Sequence, residues 1–232
     1  MKLSERLQAI ANLVDDNVIL ADIGTDHGYI PVYLLNNKKI KYVVAADINK
    51  GPLENAKKEI LVNNLQNKVD LRLGSGLSVL KIGEVDEAII AGMGGVLISE
   101  ILEDSFEIAK DLKKIILQPM QASDELRKYL YNKGFEIIDE VLVKEDFRIY
   151  EIIIVRYKGK VSEVEDNIYY EVGKKVIEKR DPLVLEFIGK KINECKKIIQ
   201  KIEGKEGEKI ENKIKECNYK IQKLKELKSY VC

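Results

Sequence analysis

Asp22-Ile-Gly24-Thr-Asp26-His-Gly28-Tyr29 closes a short apolar run, residues 18–23, and its reading decides the fold. An apolar run of that length ending in glycine reads as a buried strand. Glycines just beyond a strand let the backbone turn sharply into a helix and approach a ligand closely. The spacing is close to that of a dinucleotide-binding loop, but Asp26 stands where a central glycine belongs. A carboxylate is repelled by a pyrophosphate and attracted by an ammonium or a sulfonium. Asp22 and Asp26 therefore favour S-adenosyl-L-methionine over a nicotinamide dinucleotide. A ligand-free turn between strand and helix is the alternative.

Working outward, residues 3–14 place Leu3, Leu7, Ile10, Ala11 and Val14 on one helical face. Residues 42–47, 69–73, 87–91 and 115–117 read as further strands. Pro31 shapes a short helix, and Pro52 sits near the start of one running to about residue 63. Residues 96–102 read as a helix, as does a segment that opens at Ser123 and Asp124 and ends at Gly134. This alternation predicts a parallel sheet with helices on both faces. Residues 136–143 and 148–157 depart from it and form a terminal antiparallel hairpin. Such an ending to an α/β, Rossmann-like sheet belongs by analogy to methyltransferases more than to dehydrogenases.

Composition changes after Lys158. Ile188, Ile192, Cys195, Ile199 and Ile202 recur at helical spacing. Ile210, Ile214, Cys217, Ile221, Leu224 and Val231 continue it beyond a turn holding Gly204 and Gly207. This predicts a helical hairpin with a coiled-coil seam, preceded by a break at Asp181-Pro182 and a helix over 169–179. The division expected is residues 1–158 as an S-adenosylmethionine-binding methyltransferase domain and 159–232 as an α-helical coiled-coil arm.

The whole chain balances 39 Lys and Arg against 39 Asp and Glu, with 45% hydrophobic residues. Its halves differ: residues 159–232 hold 18 basic and 14 acidic side chains, residues 1–158 hold 21 and 25. The basic excess of the arm suits a polyanion; an ordinary solvated helical surface is the alternative. The cysteines are Cys195, Cys217 and Cys232, in no C-x-x-C pair, and His27 is the single histidine. A Cys/His metal site is not expected. Cys195 and Cys217 read as small core residues. No run reaches the length of a membrane helix, so no membrane partner is expected and a soluble cytoplasmic protein is. The oligomeric state stays open, a monomer included.

The remaining site candidates lie at successive strand ends. Asp47 ends the second strand, where a carboxylate accepts hydrogen bonds from ribose hydroxyls; Ile48 and Asn49 follow in the same loop. Asp47 as a helix cap is the plainer reading. Gly74, Ser75, Gly76 and Leu77 follow the third strand, with small residues to admit an adenine ring and Leu77 to pack on it. A flexible loop is the alternative there. Ala91-Gly92-Met93-Gly94-Gly95 follows the fourth, with Gly92 and Met93 as cofactor-binding candidates, leaving room for a flat substrate beside the methyl donor and for Met93 to pack on a base or on the cofactor; tight helix–strand packing is the alternative. Gln118-Pro119 adds a polar group to that rim.

DIGTDHGYIP, AADIN, GSGL, AGMGG and LQPMQ, in this order behind the opening LSERLQAIA, resemble the bacterial tRNA (adenine-22-N1)-methyltransferases along the whole chain. The resemblance implies a class I fold and methyl transfer to N1 of an adenine in tRNA. AGMGG stands where many adenine-N6 enzymes carry an Asn/Asp-Pro-Pro-aromatic motif, which argues against N6 chemistry. Asp26, His27 and Tyr29 are the catalytic candidates, Asp26 for the developing charge and His27 or Tyr29 for contact with the base; a purely structural His27 is the alternative. A methyltransferase acting on another RNA, a small molecule or a protein remains open, as does a non-catalytic RNA-binding module of the same fold.

Overall fold

In a computed structural model, which describes residues 2–37, 39–161 and 164–231, the run before Asp22 is β1 (Ile19–Ile23). It lies inside a seven-stranded sheet with β2 (Tyr42–Asp47), β3 (Val69–Leu73), β4 (Glu87–Met93), β5 (Lys114–Pro119), β6 (Phe135–Glu145) and β7 (Arg148–Tyr157). The order is β3-β2-β1-β4-β5-β7-β6. The first five strands run parallel, and β7 inserts antiparallel between β5 and β6. The expected parallel sheet with a terminal hairpin is what forms. Because β1 is flanked by β2 and β4, the strand order reverses there, and such a switch point opens a crevice beyond the carboxyl ends.

Side-chain alternation divides the core between the faces. Leu20, Ile89 and Ile116 meet α1 (Glu5–Asn12), α2 (Tyr29–Asn36) and α3 (Lys50–Val62) through Ile10, Val32 and Ile60. Ala21, Ile90 and Leu117 meet α4 (Gly95–Asp104), α5 (Phe106–Asp111) and α6 (Ser123–Asn132) through Ile98, Ala109 and Leu126. Each fully buried Ile or Leu contributes roughly 1.5–3 kcal/mol. Two short elements escape the periodicity argument: α5, and a 3-10 turn at Gly76–Val79. Both are too short to display a repeating apolar stripe.

Charges tie the hairpin to α6. Arg127 is 1% exposed; its Nε donates to Glu140 at 2.7 Å and its Nη2 to Glu151 at 2.6 Å. The Ser123 hydroxyl donates to the other Glu151 oxygen at 2.5 Å. A buried charge is tolerated only when paired in this way, so the network fixes how β6 and β7 sit on the domain.

Contacts divide the chain into two units, residues 1–163 and 164–232. The second holds α7 (Ile168–Glu171), α8 (Lys174–Glu178), α9 (Val184–Ile202) and α10 (Glu208–Val231). The helix expected over 169–179 is broken: Val172 is extended and fully buried, and Gly173 restarts the chain as the N-cap of α8. Helices α9 and α10 pair as a hairpin, with Ile188, Ile192, Cys195, Cys217, Leu224 and Val231 buried. Lys220 reaches Glu171 at 2.5 Å and Lys223 reaches Asp166 at 2.8 Å, pinning α7 to α10. Cys232 lies outside the described residues.

Candidate active site

The loop after β1 turns because two backbone amides share one acceptor. Gly24 and Thr25 both donate to the Ala46 carbonyl, at 2.8 and 2.9 Å. Gly24 has φ 78°, His27 φ 59° and Gly28 φ 66°, so the segment passes three times through the left-handed region before α2 begins. Gly28 also lets α2 approach α3: a Cβ there would stand 3.2 Å from that of Ala56. At Gly24 a Cβ would fall 2.2 Å from the Met93 Cε, so Met93 packs directly on the loop.

Beyond the carboxyl ends of β1 and β4 opens a cleft of about 430 Å³, a size suited to a small organic molecule. Asp22, Gly24, Asp26, Tyr29 and Gly92 line it among the sequence candidates. Gly92 has φ 78° and nothing near its missing Cβ, so its backbone is open to a ligand. The next glycines serve packing. A Cβ on Gly95 would collide with the Ala122 carbonyl at 2.1 Å, and its amide donates to Gln121 at 2.8 Å. AGMGG thus combines an open wall with a close backbone crossing.

Asp47 ends β2 on the same edge of the sheet, half-buried, with one carboxylate oxygen taking the Asn49 amide at 2.7 Å. Its carbonyl takes the Gly74 amide at 3.0 Å, which draws the Gly74–Ser75–Gly76 loop alongside. Ile48, Asn49 and Ser75 are exposed there. Leu77 is the departure: it is fully buried in the core with Ile98 and Leu102 and offers no surface to a ring. The 3-10 turn that starts at Gly76 rolls its side chain inward. His27 stands beside the cleft, its ring 5.1 Å from that of Tyr29 and nearly parallel, its Nε2 3.4 Å from Asp26 Oδ1.

Arg6 and Leu7 of α1 also line the cleft, as do Thr25, Ile30, Ala91 and Met120. Arg6 is the single cation among these lining residues. Its Nη1 donates to Gln118 Oε1 at 2.7 Å, and its guanidinium lies 5.4 Å from the Tyr150 ring centre. Its backbone amide, in the open first turn of α1, donates to Glu145 at 2.9 Å, and this holds the Glu145 carboxyl below its usual range. Gln118 was expected on the rim; it is instead fully buried and orients Arg6 from below.

Asp22 is buried, and the loss of solvent raises its pKa to about 6; the negative charge of Asp47 adds to the rise. The neighbouring Thr25 hydroxyl tempers it, yet that oxygen is buried outside hydrogen-bonding geometry with any protein group, as is Arg6 Nε.

Residues 3–153 match the family model described as Methyltransferase domain. The Bacillus subtilis tRNA (adenine(22)-N(1))-methyltransferase is 37% identical over 173 residues, covering 75% of this chain and 72% of that protein. The crystal structure of the B. subtilis M1A22 tRNA methyltransferase TrmK superposes with a TM-score of 0.87 at 31% identity, covering 98% of this chain and 99% of that one. A Streptococcus pneumoniae protein solved in complex with S-adenosyl-L-methionine superposes with a TM-score of 0.85 at 30% identity, covering 98% and 100%. The carboxylate-lined crevice, the strand order and these likenesses agree, and the chain belongs to the tRNA (adenine(22)-N(1))-methyltransferase family.

Proposed function

We propose that this chain transfers the methyl group of S-adenosylmethionine to N1 of adenine 22 in tRNA, in the cytoplasm. The observation that carries the reading is the cleft at the switch point, where two carboxylates and one guanidinium face a space sized for a methyl donor. S-adenosylmethionine fits these groups: Asp22 and Asp26 match its ammonium and sulfonium, Arg6 its carboxylate, and Asp47 its ribose hydroxyls. Gly24, Gly28, Gly74, Ser75, Gly76, Gly92 and Met93 form the walls and floor, and Ile48 and Asn49 the outer edge. When bound, it supplies an electrophilic methyl group.

The protein's own task is then positional. N1 of neutral adenine carries a free lone pair, so no base need remove a proton first. Gly92 admits the flat ring beside the cleft, and apolar Met93 and Ile30 keep water from it. Holding the reacting atoms in line supplies much of the rate. Positive charge develops on the ring as N1 gains its methyl group, and Asp26 stabilises it from the loop. The stacked His27 and Tyr29 rings offer a face to the base as it leaves the RNA stack. Residues 159–232 act as a coiled-coil arm that grips the tRNA backbone, with Lys196, Lys197, Lys201, Lys205, Lys209 and Lys215 exposed on it. Incubation with unmodified tRNA and labelled S-adenosylmethionine, followed by nucleoside analysis, tests the reading.

Asp47→Ala is expected to weaken S-adenosylmethionine binding by about 1.5–3 kcal/mol, the range for hydrogen bonds to a charged group. Calorimetry checks it, and an unchanged affinity in a folded variant removes Asp47 from the site.

Cofactor binding also acquires a pH dependence through Asp22. A carboxyl whose folded pKa is raised to about 6 is neutral below that pH and cannot pair with an ammonium. The ligand-free protein loses stability as pH rises from the ordinary carboxylate range through about 6, because the buried group must ionise unpaired. A bound ammonium offsets that cost. Affinity is therefore expected to be about tenfold weaker near pH 5 than near pH 7, with the dependence lost in Asp22→Asn. A pH-independent affinity in the unsubstituted chain contradicts an ammonium contact at Asp22.

A further inference from the structure

The tip of the β6–β7 hairpin is not accounted for by the cleft, the cofactor or the arm. Its two-residue turn is Asp146-Phe147, with Asp146 in the left-handed region at φ 54°. Phe147 is 75% exposed, and the Arg148 guanidinium lies 5.5 Å from its ring centre. The Arg127 network holds the middle of the hairpin, through Glu140 and Glu151, and leaves the tip projecting.

Register places this tip at the ligand-binding edge. Leu117 pairs with Ile153 in the antiparallel β5–β7 ladder, so β7 begins where β5 ends. Continuing the ladder sets Pro119 level with Glu151; Arg148 lies three residues further, about 10 Å past the end of β5. Glu145 takes the Arg6 amide at 2.9 Å, and Tyr150 lies under the Arg6 guanidinium, so the hairpin adjoins the cleft wall. Tyr29 and Met120, both in that wall, are 36% and 42% exposed.

We propose that Phe147, with Arg148 beside it, stacks on an unpaired nucleobase of the substrate tRNA next to the target adenine in the strand. Single-stranded RNA is recognised through unstacked bases laid on aromatic rings and guanidinium planes, and this tip offers one of each. The space beside the cleft takes one base; a neighbouring stacking platform holds the strand open once that base has turned out. The inference rests on the reading that tRNA is the substrate.

The test uses the full chain and an unmodified tRNA transcript, comparing Phe147→Ala, Phe147→Leu and Phe147→Trp with the unsubstituted protein. Expected for Phe147→Ala is a loss of about tenfold or more in kcat/KM on tRNA, within the range for a lost base stack. S-adenosylmethionine affinity and Tm should be unchanged. Phe147→Trp should restore activity and Phe147→Leu should not, a pattern that merely filling space would not give. A tRNA carrying 2-aminopurine beside the target should be quenched on binding the unsubstituted protein and not Phe147→Ala. Equal kcat/KM and equal quenching for Phe147→Ala overturn the inference while leaving tRNA methylation intact. An unsubstituted chain that fails to methylate tRNA overturns the substrate reading and this inference with it.

Discussion

Removing residues 164–232 is expected to lower tRNA affinity by about a thousandfold while leaving S-adenosylmethionine affinity within about twofold. Both hydrophobic clusters lie inside residues 1–163, as do all cleft-lining residues, so the first unit keeps its own core and its cofactor site. A site that accepts one base holds little of a tRNA, and phosphate contacts elsewhere must supply most of the affinity. Six or more such contacts change affinity by about three orders of magnitude across moderate salt. Residues 159–232 carry the basic excess, 18 against 14, whereas residues 1–158 are net acidic. Several lysines are already committed within the unit, Lys213 to Glu216, Lys220 to Glu171 and Lys223 to Asp166, while Lys196, Lys197, Lys201, Lys205, Lys209 and Lys215 are exposed on it. A salt titration of tRNA binding checks this. The truncated protein should show a much shallower slope of log affinity against log salt, because fewer counterions are released. Equal affinity and equal slope would assign the arm to assembly instead.

Asp26→Asn is expected to lower kcat by roughly 10²- to 10³-fold, the scale for losing one preorganised charged or dipolar group at a developing charge. KM for tRNA should change little, since the loss appears only when charge builds on the ring. The side chain is 72% exposed in the open cleft, so its electrostatic effect depends on the base covering it and excluding water. Asparagine keeps the size and the turn geometry and removes the charge, which separates catalysis from loop shape. Single-turnover kinetics with saturating tRNA measure the step. A full-rate Asp26→Asn variant removes the electrostatic role and leaves Asp26 as a loop residue.

The parts of this molecule that were legible in the sequence share one property: they are set by local pattern. Apolar runs ending at Gly24 and Asp47 marked strands because a buried parallel strand needs a continuous apolar stretch and a turn after it. The 144–147 break marked the hairpin. What the pattern hid depends on packing between distant segments. Arg6 borders the apolar face of α1 one residue before Leu7, and only the docking of that helix beside β5 and β6 brings it to Gln118 and the cleft. Gln118 follows an apolar run at a strand end and reads as a rim residue; its burial follows from Arg6 covering it. Gly92 and Gly95 look alike in sequence, yet one faces open space and the other a carbonyl of the chain crossing at Ala122. Leu77 reads as a ring-packing residue until a short 3-10 turn directs it inward. The break at Val172-Gly173 is likewise invisible to periodicity, because Val172 fits both a helix and the buried extended link it makes.

The most direct test of the account is the identity of the methylated nucleoside. The full chain is incubated with an unmodified tRNA transcript and methyl-labelled S-adenosylmethionine, the RNA is digested, and the labelled nucleoside is identified by mass and retention. The account predicts 1-methyladenosine, formed in a transcript with adenine at position 22 and absent when that adenine is replaced by guanine. Label in N6-methyladenosine, in another nucleoside, or in none would contradict it.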